Sequence, residues 1–458
     1  VTPAGATAAL WHHAGLPAGA LGWLRLTGAE PALPSSFAVG TAAQASIAAM
    51  ALAAASLHHQ RGGPPQHVGI DMRHAAAEFR SERLFRVDGQ DAPELWDAIA
   101  GLYPTSDGWV RLHTNFPHHR DGVLRLLGVG NDRAAVARAL LGWQAQAFED
   151  ASAEAGLCVA ALRSFGQWDA SPQGQAVADW PISITRIGDA PPRPLPAAAR
   201  PLEGLRVLEM TRIIAGPVAG RALAAHGADV LLVTAPHLPA VAPLVIDTGR
   251  GKRSAQLDLR DPAGAARLKA LVGEADVFLQ SYRPGALAAQ GLSPEALAAE
   301  HPGIVCASLS AYGREGPWRD RRGFDSLVQT ASGFNLAEAG AAGETRPRPL
   351  PAQALDHASG YLLAFGILAA LHRRAVEGGS WSVRVSLAGT GRWLRGLGRL
   401  EQGFTAPDPA REDLADLLEE SDSGFGRLSA LRHAGRLDAT PAFFARPSVP
   451  LGTDAPHW

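Results

Sequence analysis

The chain has 458 residues, 47% of them apolar and 19% charged, with a formal net charge of −2. That length suits two or three domains with an ample core, and the charge excludes the basic field of a nucleic-acid or anionic-membrane binder. Any negatively charged ligand must therefore be met by local groups. The two cysteines, Cys158 and Cys306, are far apart and lack metal-ligand spacing, so neither a disulfide framework nor a zinc site is expected.

Residues 1–40 are rich in Gly, Pro and Ala, with a helix expected over Ala6 to His13. No basic segment followed by an apolar run opens the chain, so no secretory signal is read and a cytoplasmic protein is expected. The bias towards Ala, Gly, Arg and Pro suggests a GC-rich bacterial source. A helix runs from about Thr41 to His59. Gln44 and Ser46 interrupt its apolar run, which reads as a buried helix rather than a membrane span. Arg61-Gly62-Gly63-Pro64-Pro65 stops it. Gln66 to Met72 alternates as a short strand, and residues 75–86 look helical. Leu102 to Thr114 reads as a hairpin turning at Ser106-Asp107-Gly108. Helices of mixed polarity fill 118–165, and the Pro-rich stretch 186–200 is a linker by composition.

Beyond the linker the pattern changes. Strands are expected at GLRVLEM, ADVLLVTAP, ADVFLQS and IVCASLSAYG, with helices from Ala215 to His226, over Pro262 to Val272 and from about Ser293. Strands alternating with helices across short loops are the signature of parallel βαβ units. The fold class is α/β: a Rossmann-like parallel sheet as large domain, plus a smaller α+β domain. The expected organisation is an N-terminal segment 1–80, a small domain 81–185, the linker 186–200, the large domain 201–390 and a tail 391–458 packing on the large domain.

Residues 354–387 repeat the plan of residues 38–72: a small-residue turn, a long Ala-rich helix, a basic stop, Gly-Gly and a short strand. In the first copy the position of Asp356 falls on Gly40 or Thr41, so that copy offers no carboxylate.

Five segments can carry chemistry. Thr211 to Gly220 opens a helix after a strand, where Gly216 permits close approach and Pro217 suits the first turn. Free N–H groups there can bind an anion or polar group. Arg250, Lys252 and Arg253 form a cluster that either neutralises phosphate or lies on a solvated loop. Ser281-Tyr282-Arg283 follows a strand at the carboxyl end, where such sheets bind ligands. Arg319, Arg321 and Arg322 follow a Gly-rich turn. Asp356 heads an apolar helix, where an Asp is either an N-cap or a bare nucleophile.

Taken together, PLEGLRVLEMTRIIAGP, RGKRSAQLDLRDP, ADVFLQSYRPGAL, GREGPW, GFDSLVQTASG and ALDHASGYLLAFGILAAL resemble, in order and spacing, the family III CoA-transferases and the related α-methylacyl-CoA racemases. Residues 41–190 are similar, more loosely, to the other part of that family, so the halves stand in rearranged order. The resemblance implies that Asp356 is the nucleophile. It implies CoA contacts at Ile214 and Ala215, Leu257 and Arg260, Ser281, Tyr282 and Arg283, and Arg322. Coenzyme A would enter as cosubstrate, with no metal. An acyl-CoA and a small carboxylic acid would be the partners, and neither nucleic acid nor membrane. The assembly would be a homodimer, or a pseudo-dimeric monomer in which the first half covers Asp356 of the second. The implied reaction moves CoA to an acid through aspartyl anhydride and aspartyl-CoA thioester intermediates. His357, next along the helix, reads as a bystander.

Two alternatives stay open. A racemase needs a second proton-transfer group; where racemases carry Gly-His-Asp, this chain has Gly323-Phe324-Asp325. A catalytically silent CoA-binding subunit is motivated by departures from the family pattern: Leu232 to Ala235 in place of Lys-Val-Glu, Ser281 in place of Asn, and Ala289 in place of Arg.

Overall fold

The computed structural model describes all residues, 1–458. The first half begins with a helix over Pro3–His13 and the parallel strands β1 (Leu24–Thr27) and β2 (Val68–Asp71), with α1 (Val39–Gln60) between them. Helix α2 (Met72–Glu78) is capped by Asp71, which accepts from the His74 N–H at 3.1 Å. The helix expected to continue to residue 86 breaks at Phe79-Arg80. Ser81–Leu84 forms one more turn, and Arg86–Val87 becomes a strand because it pairs with Leu428 and Ser429 from the far end of the chain.

The expected hairpin is present as β3 (Gly101–Pro104) and β4 (Trp109–Leu112), closed by Thr105 N–H to Gly108 O at 2.9 Å. Helix α3 (Pro117–Leu127) follows. One correction falls here: within 118–165, expected to be helical, β5 (Val159–Ala161) adds a third strand to the hairpin. A second falls at the linker. Strand β6 (Ile182–Gly188) runs into it, pairing antiparallel with the last strand of the main sheet. The rest of the linker is held, because the Arg61 guanidinium donates to the carbonyls of Pro196, Pro201 and Glu203.

The second half contributes β7 (Arg206–Met210), α4 (Ala215–Ala225), β8 (Asp229–Thr234), β9 (Arg253–Gln256), β10 (Val277–Gln280) and β11 (Val305–Ser310). Then come α5 (Asp325–Ala331), α6 (Ala354–Glu377), β12 (Ser380–Ser386) and α7 (Leu387–Gly396). The sheet order is β9-β8-β7-β10-β11-β12-β6, parallel except for β6. After β7 the chain winds outward through β8 and β9, then returns to place β10 on the other side of β7. The crevice beyond β7 and β10 is thus the topological switch point, where open α/β sheets bind ligands.

Helices α1 and α6 pack against each other at the centre. Both are long and apolar enough to span a membrane, at a mean hydropathy of 1.4, but both apolar windows are wholly enclosed by protein. Helix α6 buries Leu362, Leu363, Phe365, Ile367 and Leu368 completely; each such side chain stabilises by about 1.5–3 kcal/mol. Its Gly360 lets α4 approach, since a Cβ there would lie 2.6 Å from the Ala215 carbonyl. The internal repeat extends one element further than its sequence match. Asp71 caps α2 after β2, and Ser386 caps α7 after β12, accepting from the Gly389 N–H at 3.1 Å.

The tail packs on both halves rather than on the large domain alone. Leu418–Ser423 and Gly426–Leu431 form a hairpin on Arg86–Val87, and Arg436–Leu437 pairs with β2. The closing residues return to the main sheet, where Asp454 accepts from the Ser254 N–H at 2.8 Å and Trp458 donates to Leu271 O.

Candidate active site

Two turns meet at the switch point. The turn after β7 holds Ile213 at φ 75°, the left-handed region, which is rare for a β-branched residue. Such strain costs about 1–3 kcal/mol and gathers where side chains must be aimed. The turn after β10 carries Ser281 to Pro284, and Ser281 Oγ accepts from the Arg212 N–H at 3.3 Å. Together with the start of α6 they enclose a cavity of about 340 Å³.

Ile214, Ala215, Ser281, Tyr282, Arg283, Arg322 and Asp356, all anticipated from sequence, border this cavity. Leu257 and Arg260 do not. They follow β9, two strands out from β7, and strands are spaced about 4.8 Å apart. Leu257 packs under the sheet, and the Arg260 guanidinium folds back onto Asp258 at 2.6 Å. The basic cluster Arg250, Lys252 and Arg253 is neither a phosphate site nor a solvated loop. Arg250 reaches Asp247 at 3.2 Å, Lys252 reaches Glu209 at 2.8 Å, and Arg253 reaches Asp229 at 2.8 Å, all as internal pairs.

The opposite wall comes from the first half of the same chain: Phe116, His118 and His119, leading into α3. None of these three was singled out from sequence. Their only signal was proximity to the hairpin. Burial, then the neighbouring His118, Arg322 and Arg212, lowers His119 to about 3, so its imidazole is neutral. Arg212 lies over the Phe116 ring at 4.6 Å. Arg321 is paired with Glu149 at 3.6 Å, whereas Arg212, Arg283 and Arg322 have no carboxylate partner, and the Arg322 Nε is buried without any acceptor. A chain of net charge −2 thus builds a local cationic pocket suited to phosphate groups.

Asp356 is not the cap of its helix. That role belongs to Asp325, at the start of α5, whose Oδ2 accepts the N–H of Leu355 at 2.8 Å and of Asp356 at 2.9 Å. Its other oxygen accepts from the Gln329 amide. The Asp356 carboxylate is left with no hydrogen-bond donor in the chain. It faces the cavity while only 7% exposed. Burial raises its pKa well above the usual carboxylate range, and the charges of Asp325 and Glu82 raise it further. Because Leu355 and Asp356 donate to Asp325, their N–H groups are not free to meet an oxyanion. The N–H groups of Ala215 and Gly216, in the first turn of α4, remain without partners in the chain.

His357 points away from the cavity. It is fully buried, bonds Glu82 at 3.0 Å and stacks on Phe79 with ring centroids 5.5 Å apart. Burial would push Glu82 up, but the hydrogen bond and charge of His357, with Arg83, hold it at about 2. This pair ties α6 to the first half and adds a fixed negative charge beside Asp356. Phe324 stands on the cavity wall with its ring against His113, centroids 3.8 Å apart and 9° from parallel.

Replacing Asp325 with Ala is expected to destabilise the protein by about 1–3 kcal/mol through the lost cap and the lost hydrogen bond from Gln329. Removing the like charge also moves the acid limb of any Asp356-dependent pH–rate profile to lower pH. Urea unfolding and that profile check the two effects.

Residues 15–181 and 202–417 match the family described as CoA-transferase family III. An acyl-CoA transferase of Gibberella moniliformis is 30% identical over 375 residues, 72% of this chain and 66% of that protein. A probable fatty acyl-CoA transferase of Mycobacterium tuberculosis is 36% identical over 202 residues, 41% of this chain and 51% of that one. A succinate–glutarate CoA-transferase of Agrobacterium fabrum is 37% identical over 158 residues, 31% of this chain and 40% of that one. The chain thus spans between 40% and 66% of the length of these relatives. Among solved structures, a CAIB/BAIF family protein from Brucella suis is 26% identical at a TM-score of 0.39, over 50% of this chain and 65% of that one. The ordered segments around the switch point, the helix that carries Asp356 and the match across both halves make this chain a member of CoA-transferase family III.

Proposed function

We propose that the protein transfers CoA from an acyl-CoA thioester to a carboxylic acid, with Asp356 as nucleophile. One observation carries this reading: the Asp356 carboxylate borders the cavity bare, because Asp325 caps the helix in its place. The carboxylate attacks the thioester carbonyl, the C–S bond breaks, and a mixed anhydride forms as CoA thiolate leaves. The thiolate then attacks the Asp356 acyl carbon, releasing the donor acid and leaving an aspartyl-CoA thioester. The acceptor carboxylate displaces CoA to form a second anhydride. The returning thiolate takes the acceptor's acyl carbon and regenerates Asp356. No water or proton is consumed overall.

A thioester is reactive enough for a carboxylate nucleophile, and a raised pKa makes that carboxylate more nucleophilic once ionised. Ala215 and Gly216 supply N–H groups for the oxyanions. Arg212, Arg283 and Arg322 bind the CoA phosphates, and Tyr282 packs against the rest of the cofactor. Phe116, His118 and His119 bordering the same cavity as Asp356 support a pseudo-dimeric monomer, in which one chain supplies both walls. The names of the relatives divide between fatty acyl groups and short dicarboxylic acids, so the chain's own side chains must choose the acid.

The test is incubation with a panel of acyl-CoAs and hydroxylamine, followed by peptide mass spectrometry. A hydroxamate on the peptide containing Asp356 is expected. A label on another peptide, or transfer that survives Asp356→Ala, sinks the reading.

A further inference from the structure

Asp356 borders two cavities. The one described above holds the cationic groups suited to CoA. A narrow passage, bounded by His113, Asn115, Asp325 and Gln353, also borders Asp356, and a larger cavity of about 1030 Å³ adjoins it. Glu82, Arg83, Leu95, Trp96 and Gln353 border both passage and chamber, so the two are adjacent.

The charges around this chamber are unevenly matched. Each of its four carboxylates already has a partner. Glu82 has His357, Glu344 has Arg348, Asp408 has Arg80, and Glu94 accepts the Trp96 N–H. Arg83 and Arg348 are paired in turn, and Arg133 donates to the carbonyls of Ala98 and Ala100. Arg111 is different. It projects from β4, lies over the Trp96 ring at 4.7 Å, and makes no hydrogen bond or ion pair through its side chain. Its Nε is buried with no acceptor at all. Burial lowers it to about 10, outweighing the charge of Asp325, which raises it without touching it. An unpaired guanidinium in such surroundings is costly, and the cost is recovered when a carboxylate docks.

We infer that Arg111 binds a second anionic group on the acid substrate, so that the protein selects a dicarboxylic acid over a monoacid of equal length. This rests on the transferase reading above: the reacting carboxyl lies at Asp356 and the distal one reaches through the passage to the chamber. Trp96 holds the guanidinium plane, and Arg346, at the exposed rim, lies over the Trp109 ring at 5.9 Å and has no carboxylate partner. The halves of the chain then divide the labour, the second supplying the chemistry and the first the choice of acid.

The test measures CoA release in hydroxylamine from glutaryl-CoA and from valeryl-CoA, which needs no knowledge of the natural acceptor. The wild type is expected to prefer glutaryl-CoA in kcat/KM. Arg111→Gln should lower the glutaryl-to-valeryl ratio by about 10- to 100-fold, chiefly through KM, with partial recovery in Arg111→Lys. A wild-type ratio near one, or a ratio that Arg111→Gln leaves alone, overturns the role of Arg111 while Asp356-dependent release leaves the transferase reading standing. Release from neither ester overturns that reading and this inference together. Should Arg111→Gln fail to fold, the wild type decides: glutarate must raise its melting temperature more than valerate does, and equal shifts overturn the inference.

Discussion

Replacing Asp356 with Asn is expected to abolish transfer and to make the protein more stable. On the proposed role of Asp356 the loss of activity should be about 10⁴-fold or more, the usual scale when a covalent nucleophile is removed. The gain in stability follows from the same surroundings. The wild-type carboxylate is buried, receives no hydrogen bond and faces the charges of Asp325 and Glu82. Its folded pKa lies above the unfolded value near 3.9. Between those two values the folded protein holds a proton that the unfolded chain has lost, so stability falls as pH rises through the window. The penalty is complete above the folded pKa. Asn carries no charge to desolvate, so the variant should gain about 1–2 kcal/mol near neutral pH and almost nothing near pH 4. Calorimetry at the two pH values checks the pattern, alongside the transfer assay. A variant that melts lower at neutral pH would mean that Asp356 stabilises the fold, contrary to the unsatisfied geometry. The wild-type activity itself should rise with pH through the same folded pKa, since in the proposed mechanism only the ionised carboxylate attacks.

The second large effect lies away from the cavity, where the halves are riveted together. Arg221 on α4 is buried, with Nη1 2.7 Å from Asp247 and Nη2 3.5 Å from Glu78 on α2. Glu78 also takes the Tyr361 hydroxyl of α6 and the Ala434 N–H of the tail at 2.7 Å. One guanidinium thus serves an acid from each half of the chain. Arg221→Met should cost about 3–5 kcal/mol, because it removes the cation shared by two buried carboxylates and leaves Asp247 to Arg250 and Glu78 to His433 alone. Arg221→Lys keeps the charge without the fork, and should fall between the two. Urea unfolding gives the numbers; a loss below about 1 kcal/mol would show the network to be dispensable. Burial raises Glu78, yet His433 and Arg221 outweigh it and hold its pKa far below the usual range. Its contribution is therefore present at neutral pH and is lost only as pH falls through that depressed value.

Local pattern carried much of the architecture. The alternation of apolar strands with helices from Arg206 to Ser310 is a short-range property, and every strand expected there is present. The repeat around α1 and α6 was visible for the same reason, since an apolar helix, a basic stop and a strand are each written within a few residues. Strand β5 was missed because Val-Ala-Ala has no periodicity to read; it is a strand only because the hairpin offers an edge. Strand β6 was hidden by the prolines beyond it, and it forms because β12 needed a neighbour.

Chemistry divided along the same line. The residue types at Arg212 to Ala215, Ser281 to Arg283 and Asp356 follow from turns that the sequence marks directly, and the switch point gathers them because of strand order. Whether a charged side chain is a binding group or an internal rivet depends on which opposite charge the fold delivers to it. Arg250, Lys252 and Arg253 met Asp247, Glu209 and Asp229 and became structure, whereas Arg111 and Arg322 form no ion pair and each keeps a buried Nε without an acceptor. The sequence alone therefore determined the family, the sheet and the identity of the bare carboxylate's helix. Only the tertiary structure decided that Asp325, from 31 residues upstream, caps that helix and leaves Asp356 open to a substrate, because pairing between distant charges is set by the packing of the whole chain and not by any local run of residues.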